Sequence, residues 1–384
     1  MLLNDKKIAI IGGGPGGLTL AKLLQLKGAE VNVYERDVNR HVRVQGSTLD
    51  LHEESGLAAL AKAGLMEAFK ANYRPGADKM RIISSKGEVL YDQHTETSAQ
   101  DFGDEHFRPE IDRGPLRELM LDALEPGTVI WNSQLKSLEA MGKLWQLGFQ
   151  DGTQVTVDVV IGADGANSKV RPYITPIKPV YSGVFMVEGT IYNSEKTSPK
   201  IHELLKGGKL FVMGDSKTLI VSSKGGGDMS FYTGCKTNEL WVTESGLDFK
   251  DKGQLLKWFK QEYASWGELW HELFEDEHTT FIPRPQYYMP LDQTWEAQSN
   301  ITLIGDAAHV MPPFAGEGVN MAMQDALELS ECLTNSNFAD LTEAIRHYED
   351  QMRLRASNTA QLTLEQTEVM HSPNALEHML AFFS

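Results

Sequence analysis

Apolar positions fall into three textures along the chain. Residues 8–11 are an unbroken apolar run, too short for a helix and suited to a strand buried on both faces. The glycine cluster Gly12-x-Gly14-x-x-Gly17 follows, and residues 18–26 then carry apolar positions at helical spacing up to Gly28, which suits a helix C-cap. Residues 31–34 form a second strand pattern, with Glu35 at its end. Further on, residues 113–124 ("RGPLRELMLDAL") predict a short amphipathic helix with Pro115 near its start, ended by Pro126-Gly127. A strand is expected over 129–131. "LWQLGFQDGTQVTVDVVIGADG" predicts a hairpin turning at Asp151-Gly152, its second strand running on to Asp164.

The texture changes near Val180. "VFMVEGTIY", "KLFVMG", "TLIVSS" and "MSFYTGC" alternate as strands of an antiparallel sheet do. A tryptophan-rich helical stretch, "QLLKWFKQEYASWGELWHELF", follows, its aromatics read as core. At Ile301 an apolar strand resumes, and long helices are expected from about residue 318 to the end. The order α/β, mostly β, then α/β again predicts two domains interleaved in sequence, as the 384-residue length also favours. The expected division is 1–75, 108–178 and 290–330 for the first domain, 76–107 and 179–289 for the second, and 331–384 for a terminal helical segment.

A net charge of −17 argues against nucleic acid and anionic membrane as partners, since both call for basic surfaces. Two cysteines, Cys235 and Cys332, give no disulfide framework and read as inert. The first residues lack a secretory pattern, and no run reaches the roughly 18 apolar residues of a membrane span. A cytoplasmic protein is expected.

The glycine cluster carries specific chemistry. Gly12 permits the tight turn, Gly14 lets the backbone approach a pyrophosphate, and Gly17 lets helix and strand pack closely. The helix start, with Pro15 and Gly16, then offers free N–H groups and a positive dipole end to phosphates. Glu35 lies 18 residues after Gly17, where it can accept hydrogen bonds from a ribose. Arg36 suits a 2′-phosphate or is simply solvated. This unit alone does not separate FAD from NAD(P). Two further motifs stand far downstream. Asp164-Gly165 lies just past a strand, with Ser168 and Arg171 behind it, and Asp306 ends the apolar strand of "ITLIGDAAH". Carboxylates at strand C-termini face the ligand crevice of open α/β sheets. Pro312 to Gly316 form a stiff loop, and Gly318-Val319-Asn320 open a helix aimed at a ligand. A positive helix end near a flavin's N1 and O2 stabilises its reduced anion.

In this order the three motifs resemble the single-component, class A flavoprotein aromatic hydroxylases, across essentially the whole chain. Within that group "KKIAIIGGGPGGLTLAKLL", "VQGSTLDLHEESG", "IDRGPLRELML", "TVIW", "IGDAAHVMPPFAGEGVN" and "TEVM" look most like the tetracycline-inactivating monooxygenases. The resemblance implies a Rossmann-like FAD-binding domain, a mainly antiparallel substrate-binding sheet and a long C-terminal helix bridging them. It implies FAD contacts at Gly12, Gly14, Pro15, Gly16, Gly17, Glu35 and Arg36, and at Arg43, Gly46, Ser47 and Leu49. Arg117, Asp164, Gly165, Asp306, Pro313, Gly316, Gly318, Val319 and Asn320 complete that set. Arg117 could instead pair with Glu118 or Asp122 on its own helix, and Arg43 could be a plain loop charge. The Asp of Asp164-Gly165 tends to be missing in the tetracycline enzymes, so there the chain follows the general hydroxylases. His309 is expected to be a packed histidine rather than a base.

The activity so implied is NADPH-driven reduction of FAD, capture of O2 as the flavin C4a-hydroperoxide, and hydroxylation of a polycyclic phenol or enol. Tetracycline inactivation, and with it antibiotic resistance, is one form of it. No second dinucleotide motif is present to hold NADPH, and a monomer is expected. The resemblance weakens over the substrate sheet. Where the tetracycline enzymes offer Gln, Arg, Phe and His, an ungapped placement gives Glu188, Lys209, Val221 and Ser230. Phe211 and Met213 neighbour that surface, Pro313, Phe314 and Gly316 face it from the loop, and Met370 caps it. The alternatives are a hydroxylase of another aromatic compound, a non-oxygenating flavin reductase or dehydrogenase, and a flavin- or drug-sequestering protein.

Overall fold

The computed structural model describes residues 2–42, 46–95, 101–104 and 106–383. The opening apolar run, Lys7–Ile11, is the central strand of a five-stranded parallel sheet. Across the sheet the order is Ile301–Leu303, Val159–Gly162, Lys7–Ile11, Glu30–Tyr34, Val129–Ile130. Each strand is apolar because helices or a second layer cover both faces of a parallel sheet. The helix Pro15–Gln25 makes the first crossover, with Pro15 in its first turn and Gly14 as N-cap. Its buried side packs on the helix Gly318–Thr334, which returns from the far end of the sequence.

Asp151-Gly152 does turn a hairpin, Leu144–Phe149 against Gln154–Val157. The expected run-on of its second strand to Asp164 does not occur. The chain changes sheet at Asp158, whose N–H donates to Lys7 O and whose side chain accepts from Lys7 N–H. Val159–Gly162 then begins as a separate strand beside Lys7–Ile11. A continuous apolar pattern does not reveal that its two halves pair with different partners.

The second sheet has seven strands, in the order Thr280–Tyr288, Val180–Ile191, Met229–Lys236, Lys217–Ser223, Lys209–Gly214, Met80–Ser84, Val89–Asp92. Neighbours are antiparallel except Lys209–Gly214 and Met80–Ser84, which run parallel. One face carries Val187, Val212, Leu219 and Phe231 into a core built with Leu255, Phe259, Trp270 and Phe274. Phe259 stacks on Phe274 at 4.4 Å. The tryptophan-rich stretch is therefore a structural layer. The other face looks towards the parallel sheet, and the cleft between them holds the site.

The 30-residue helix Leu341–Met370 is tied to the parallel sheet near its start and to the second sheet near its end, where Glu368 pairs with Lys236. Asp340 caps it by accepting from Glu343 N–H at 2.9 Å. Tyr348 donates to Leu303 O at 2.9 Å, and Glu349 accepts from Thr302 Oγ1 (2.7 Å) and Trp295 Nε1 (2.9 Å), so the helix is bolted to the last parallel strand. Beyond it, the helix Ala375–Phe382 lies on Lys209–Gly214 and Met80–Ser84. Among the described residues no helix is long and apolar enough to cross a membrane.

Glu349 gives the fold a pH dependence. Burial raises its pKa, hydrogen bonds from Thr302 and Trp295 oppose the rise, and the net result is about 7. A carboxyl raised in the folded state contributes stability that is fully present below its unfolded value and lost as pH climbs through the folded one. Wild type should therefore lose up to about 3 kcal/mol between pH 4.5 and 7 relative to Glu349→Gln. Urea unfolding of both proteins at pH 5 and pH 8 measures it; parallel pH profiles would show that Glu349 does not titrate in this window.

Candidate functional site

Three separate stretches meet at the C-terminal edge of the parallel sheet. The first is the glycine loop. Gly12 has φ +112°, and a Cβ there would lie 2.3 Å from Ala163 O, so the turn admits no side chain. A Cβ on Gly17 would lie 2.1 Å from Gly12 O. At Gly14 the result is opposite: no protein atom lies within 4 Å of an added Cβ. The protein's own packing does not require glycine at that position, whereas a ligand lying against the helix start does.

Glu35 is buried and accepts from Gly13 N–H (2.6 Å) and Asp37 N–H (2.9 Å). Its carboxylate thus also shapes the loop. Arg36 is exposed. Arg117 is buried, donates through Nη2 to Asp37 at 2.9 Å and lies over the Trp131 ring. Its Nε and Nη1 have no hydrogen-bond partner. The pairing with Glu118 or Asp122 does not form, because both acids are taken by Arg40. Arg43 lies outside the described residues.

The second and third stretches are tied together by Arg171. Its guanidinium donates to Ala307 O (2.7 Å), Asp306 O (2.9 Å) and Ala166 O (3.0 Å). Asp164 accepts from Lys169 N–H at 2.6 Å through Oδ2, while its buried Oδ1 has no partner. Burial raises the Asp164 pKa, with the Ser168 hydrogen bond and nearby N–H groups opposing. Asp306 is solvent-accessible yet deep in the molecule, so it lines an internal cleft. Desolvation raises its pKa, against His309, Arg113 and Arg171.

Behind Asp306 lies an acid that no sequence motif marks. Asp325 is fully buried and accepts from His309 Nε2 (2.6 Å), Arg355 Nη2 (2.7 Å) and Gly305 N–H (2.8 Å). Burial opposes its charge, but His309 and Arg355 more than offset that and hold its pKa below the usual range. His309 is thus a packed, hydrogen-bonded residue. Asn320 is also committed: it donates to Asp50 O (3.0 Å) and Gly316 O (3.3 Å) and accepts from His52 N–H (2.9 Å). It clamps the loop Pro313–Ala315 and Gly316 to the segment 46–52, leaving the N–H groups of Gly318 and Val319 at the helix start.

The facing wall is read from strand register. Ile282, Glu188, Tyr232, Ile220, Phe211 and Ile82 form one row across the sheet, and paired residues share a face. Phe211, Ile220 and Met213 cluster with Phe314, Met370 and Met379, so this face looks onto the loop and the terminal helices. Glu188, Lys209, Phe211, Met213 and Ser230 share it. Val221 does not: it is fully buried in the opposite core with Phe231 and Leu210. The ungapped placement was one residue out on the strand Lys217–Ser223, and a slip of one flips every side chain. Ile220 and Ser222 face the cleft side instead.

Lys209 pairs with the buried Glu110, so its charge is spent between the sheets. Glu188 accepts from Arg284 Nε at 2.7 Å. Ser230 is buried, its hydroxyl without a partner. Sequence reasoning also missed Tyr232, Arg113 and His371. Tyr232 OH accepts from Ser47 N–H at 3.1 Å, joining the wall to the segment beside the loop. Arg113 Nε donates to Ser47 O at 3.1 Å. His371 donates from Nδ1 to Thr367 O at 2.8 Å and meets the Phe314 ring edge-on at 5.0 Å. Burial lowers its pKa, so it is neutral. No metal-binding cluster occurs among the described residues.

These features fit a flavin dinucleotide. Arg117 has two unpartnered nitrogens, Asp164 has an unpaired oxygen, Asp306 lines a cleft, and Gly14 stands open at a helix start. Together they define a flavin-dinucleotide-binding protein built on two facing sheets. A family profile described as "FAD binding domain" matches residues 5–188 and 289–363, and the chain belongs to that family as an FAD-dependent monooxygenase of the aromatic hydroxylase group. Monooxygenase asqM of Emericella nidulans is 30% identical over 94% of both chains, and monooxygenase penA of Penicillium thymicola 29% identical over 98% of both. A solved structure described as an FAD-containing monooxygenase, from Photorhabdus luminescens, superposes with TM-score 0.76 at 25% identity, covering 97% of this chain and 99% of that one. The tetracycline destructase Tet(51) shares the fold, with TM-score 0.73 at 18% identity over 97% of this chain and 94% of that one.

Proposed function

We propose that this protein uses NADPH and O2 to hydroxylate a polycyclic phenolic or enolic substrate, with tetracycline one candidate. The observation that carries the reading is the convergence of the glycine loop, Asp164 and Asp306 on one cleft closed by Phe211, Phe314 and Met370. Bound FAD supplies the electron transfer and oxygen activation. The chain's residues supply the rest. The helix start at Gly14 and Arg117 hold the diphosphate, Glu35 the adenosine ribose, and Asp306 the ribityl arm. The start of the Gly318–Thr334 helix stabilises negative charge on the ring. The apolar wall of Phe211, Met213, Ile220 and Phe314 excludes water and orients a flat substrate. The division at residues 75, 107, 178, 289 and 330 and a monomeric state belong to the same proposal.

Tetracycline enters through the sequence stretches that resemble its inactivating enzymes, and the relatives near 30% identity bear other names. The test mixes the purified yellow protein with NADPH, air and tetracycline, and looks for substrate mass increased by one oxygen atom. NADPH consumed with only H2O2 formed removes tetracycline and leaves the class. Product that persists without O2 favours a reductase or dehydrogenase, and tight ligand binding without NADPH oxidation favours sequestration.

A further inference from the structure

Among the described residues, the cleft-facing side of the seven-stranded sheet presents three cations, Lys209, Lys236 and Arg284, and each has a carboxylate. Lys209 pairs with Glu110, Lys236 with Glu368 of the long helix at 2.6 Å, and Arg284 with Glu188 at 2.7 Å. Across the cleft, the charge of Arg113 opposes the rise that burial imposes on the Asp306 pKa. Each of the three sheet cations therefore already faces an acid, and Arg113 is exposed at the edge, donating through Nε to Ser47 O. The Ser230 hydroxyl on this face has no partner but is fully buried, out of a ligand's reach, whereas a second hydroxyl is not. Tyr232 stands in the middle of the wall, only partly buried, between Glu188 and Ile220. Its oxygen accepts from Ser47 N–H, and its own hydrogen has no acceptor among the described residues. Burial raises the pKa of this phenol, with Glu188 adding to the rise, so it stays a donor at neutral pH.

We propose that Tyr232 sets specificity: it donates to a carbonyl or hydroxyl oxygen on an uncharged edge of a multi-ring aromatic substrate, and the paired cations make the cleft reject aromatic carboxylates. This deepens the monooxygenase reading, on which it rests, by naming the substrate class and the residue that reads it. An aromatic acid would have to leave water for a wall whose cations are already neutralised, beside the Glu188 charge. A neutral ring system loses little on entering a mostly apolar pocket, and one donor then fixes its orientation.

Three probes with the same three-ring skeleton test this on the FAD-loaded protein by fluorescence or calorimetric titration: acridone, 9,10-dihydroacridine and acridine-9-carboxylate. Acridone should bind at least about tenfold tighter than either of the others. Tyr232→Phe should weaken acridone about five- to tenfold and leave dihydroacridine unmoved. Glu188→Gln releases Arg284 and should tighten the carboxylate. The proposal is overturned if the carboxylate binds wild type as tightly as acridone, if acridone does not bind, or if Tyr232→Phe weakens both neutral probes alike. Binding is read without turnover, so oxygen uptake measured separately judges the monooxygenase reading by itself.

Discussion

Asp325→Ala should unfold at markedly lower urea and purify with little flavin. The carboxylate is fully buried and receives three donors from three elements: His309, Arg355 and the Gly305 backbone. Removing it leaves the buried His309 imidazole without its counter-charge and Arg355 with Glu328 alone, and breaking a buried pair in this way costs roughly 3–5 kcal/mol. The damage is also local to the cofactor site, because Gly305 N–H loses the acceptor that fixes the turn into Asp306. Asp325→Asn keeps the shape and one acceptor, and should fall between wild type and the alanine variant. Urea unfolding and the ratio of flavin to protein absorbance measure both effects. Full flavin content and an unchanged midpoint in Asp325→Ala would sink the assignment.

The two glycines of the opening loop should separate folding from ligand binding. Gly17→Ala drives a Cβ to 2.1 Å from Gly12 O, a backbone atom that cannot swing away. It should destabilise even the flavin-free protein, by about 2–3 kcal/mol. Gly14→Ala meets no protein atom within 4 Å, and Gly14 has φ −82°, which alanine adopts freely. The flavin-free protein should therefore keep its stability to within about 1 kcal/mol, the loss coming from a poorer N-cap. Its FAD affinity should still fall at least about tenfold, because the added methyl stands where the diphosphate must approach. Unfolding of stripped protein and FAD titration by fluorescence quenching give the two numbers. If Gly14→Ala binds FAD as wild type does, the dinucleotide lies elsewhere.

Some of the site was legible because its chemistry is local. Gly12, Gly14 and Gly17 declare a turn and a close approach within six residues, and the helix they open follows in register. The acid pair Asp164 and Asp306 could be picked out because each ends an apolar strand. Arg117 was legible as a candidate but not in its pairing: it bonds Asp37, 80 residues away, while its expected partners serve Arg40. Val221 failed for a different reason. The strand Lys217–Ser223 is apolar on both faces, so alternation could not say which parity looks into the cleft. Tyr232 gave no signal, because its meaning rests on Ser47, 185 positions earlier, and on the registry that sets it beside Glu188.

The sequence by itself determined the glycine loop, the interleaving of a parallel α/β layer with a mainly antiparallel sheet, and the order of the three motifs. Those follow from sterics at glycine and from periods of about 2 and 3.6 residues, which act over a few neighbours. The tertiary structure alone decided which sheet face meets the cofactor domain, which cations keep a usable charge, and that Asp325 holds the Asp306 turn. Several of those depend on pairings between residues far apart in the chain, where the energy lies in register and burial that no local pattern encodes.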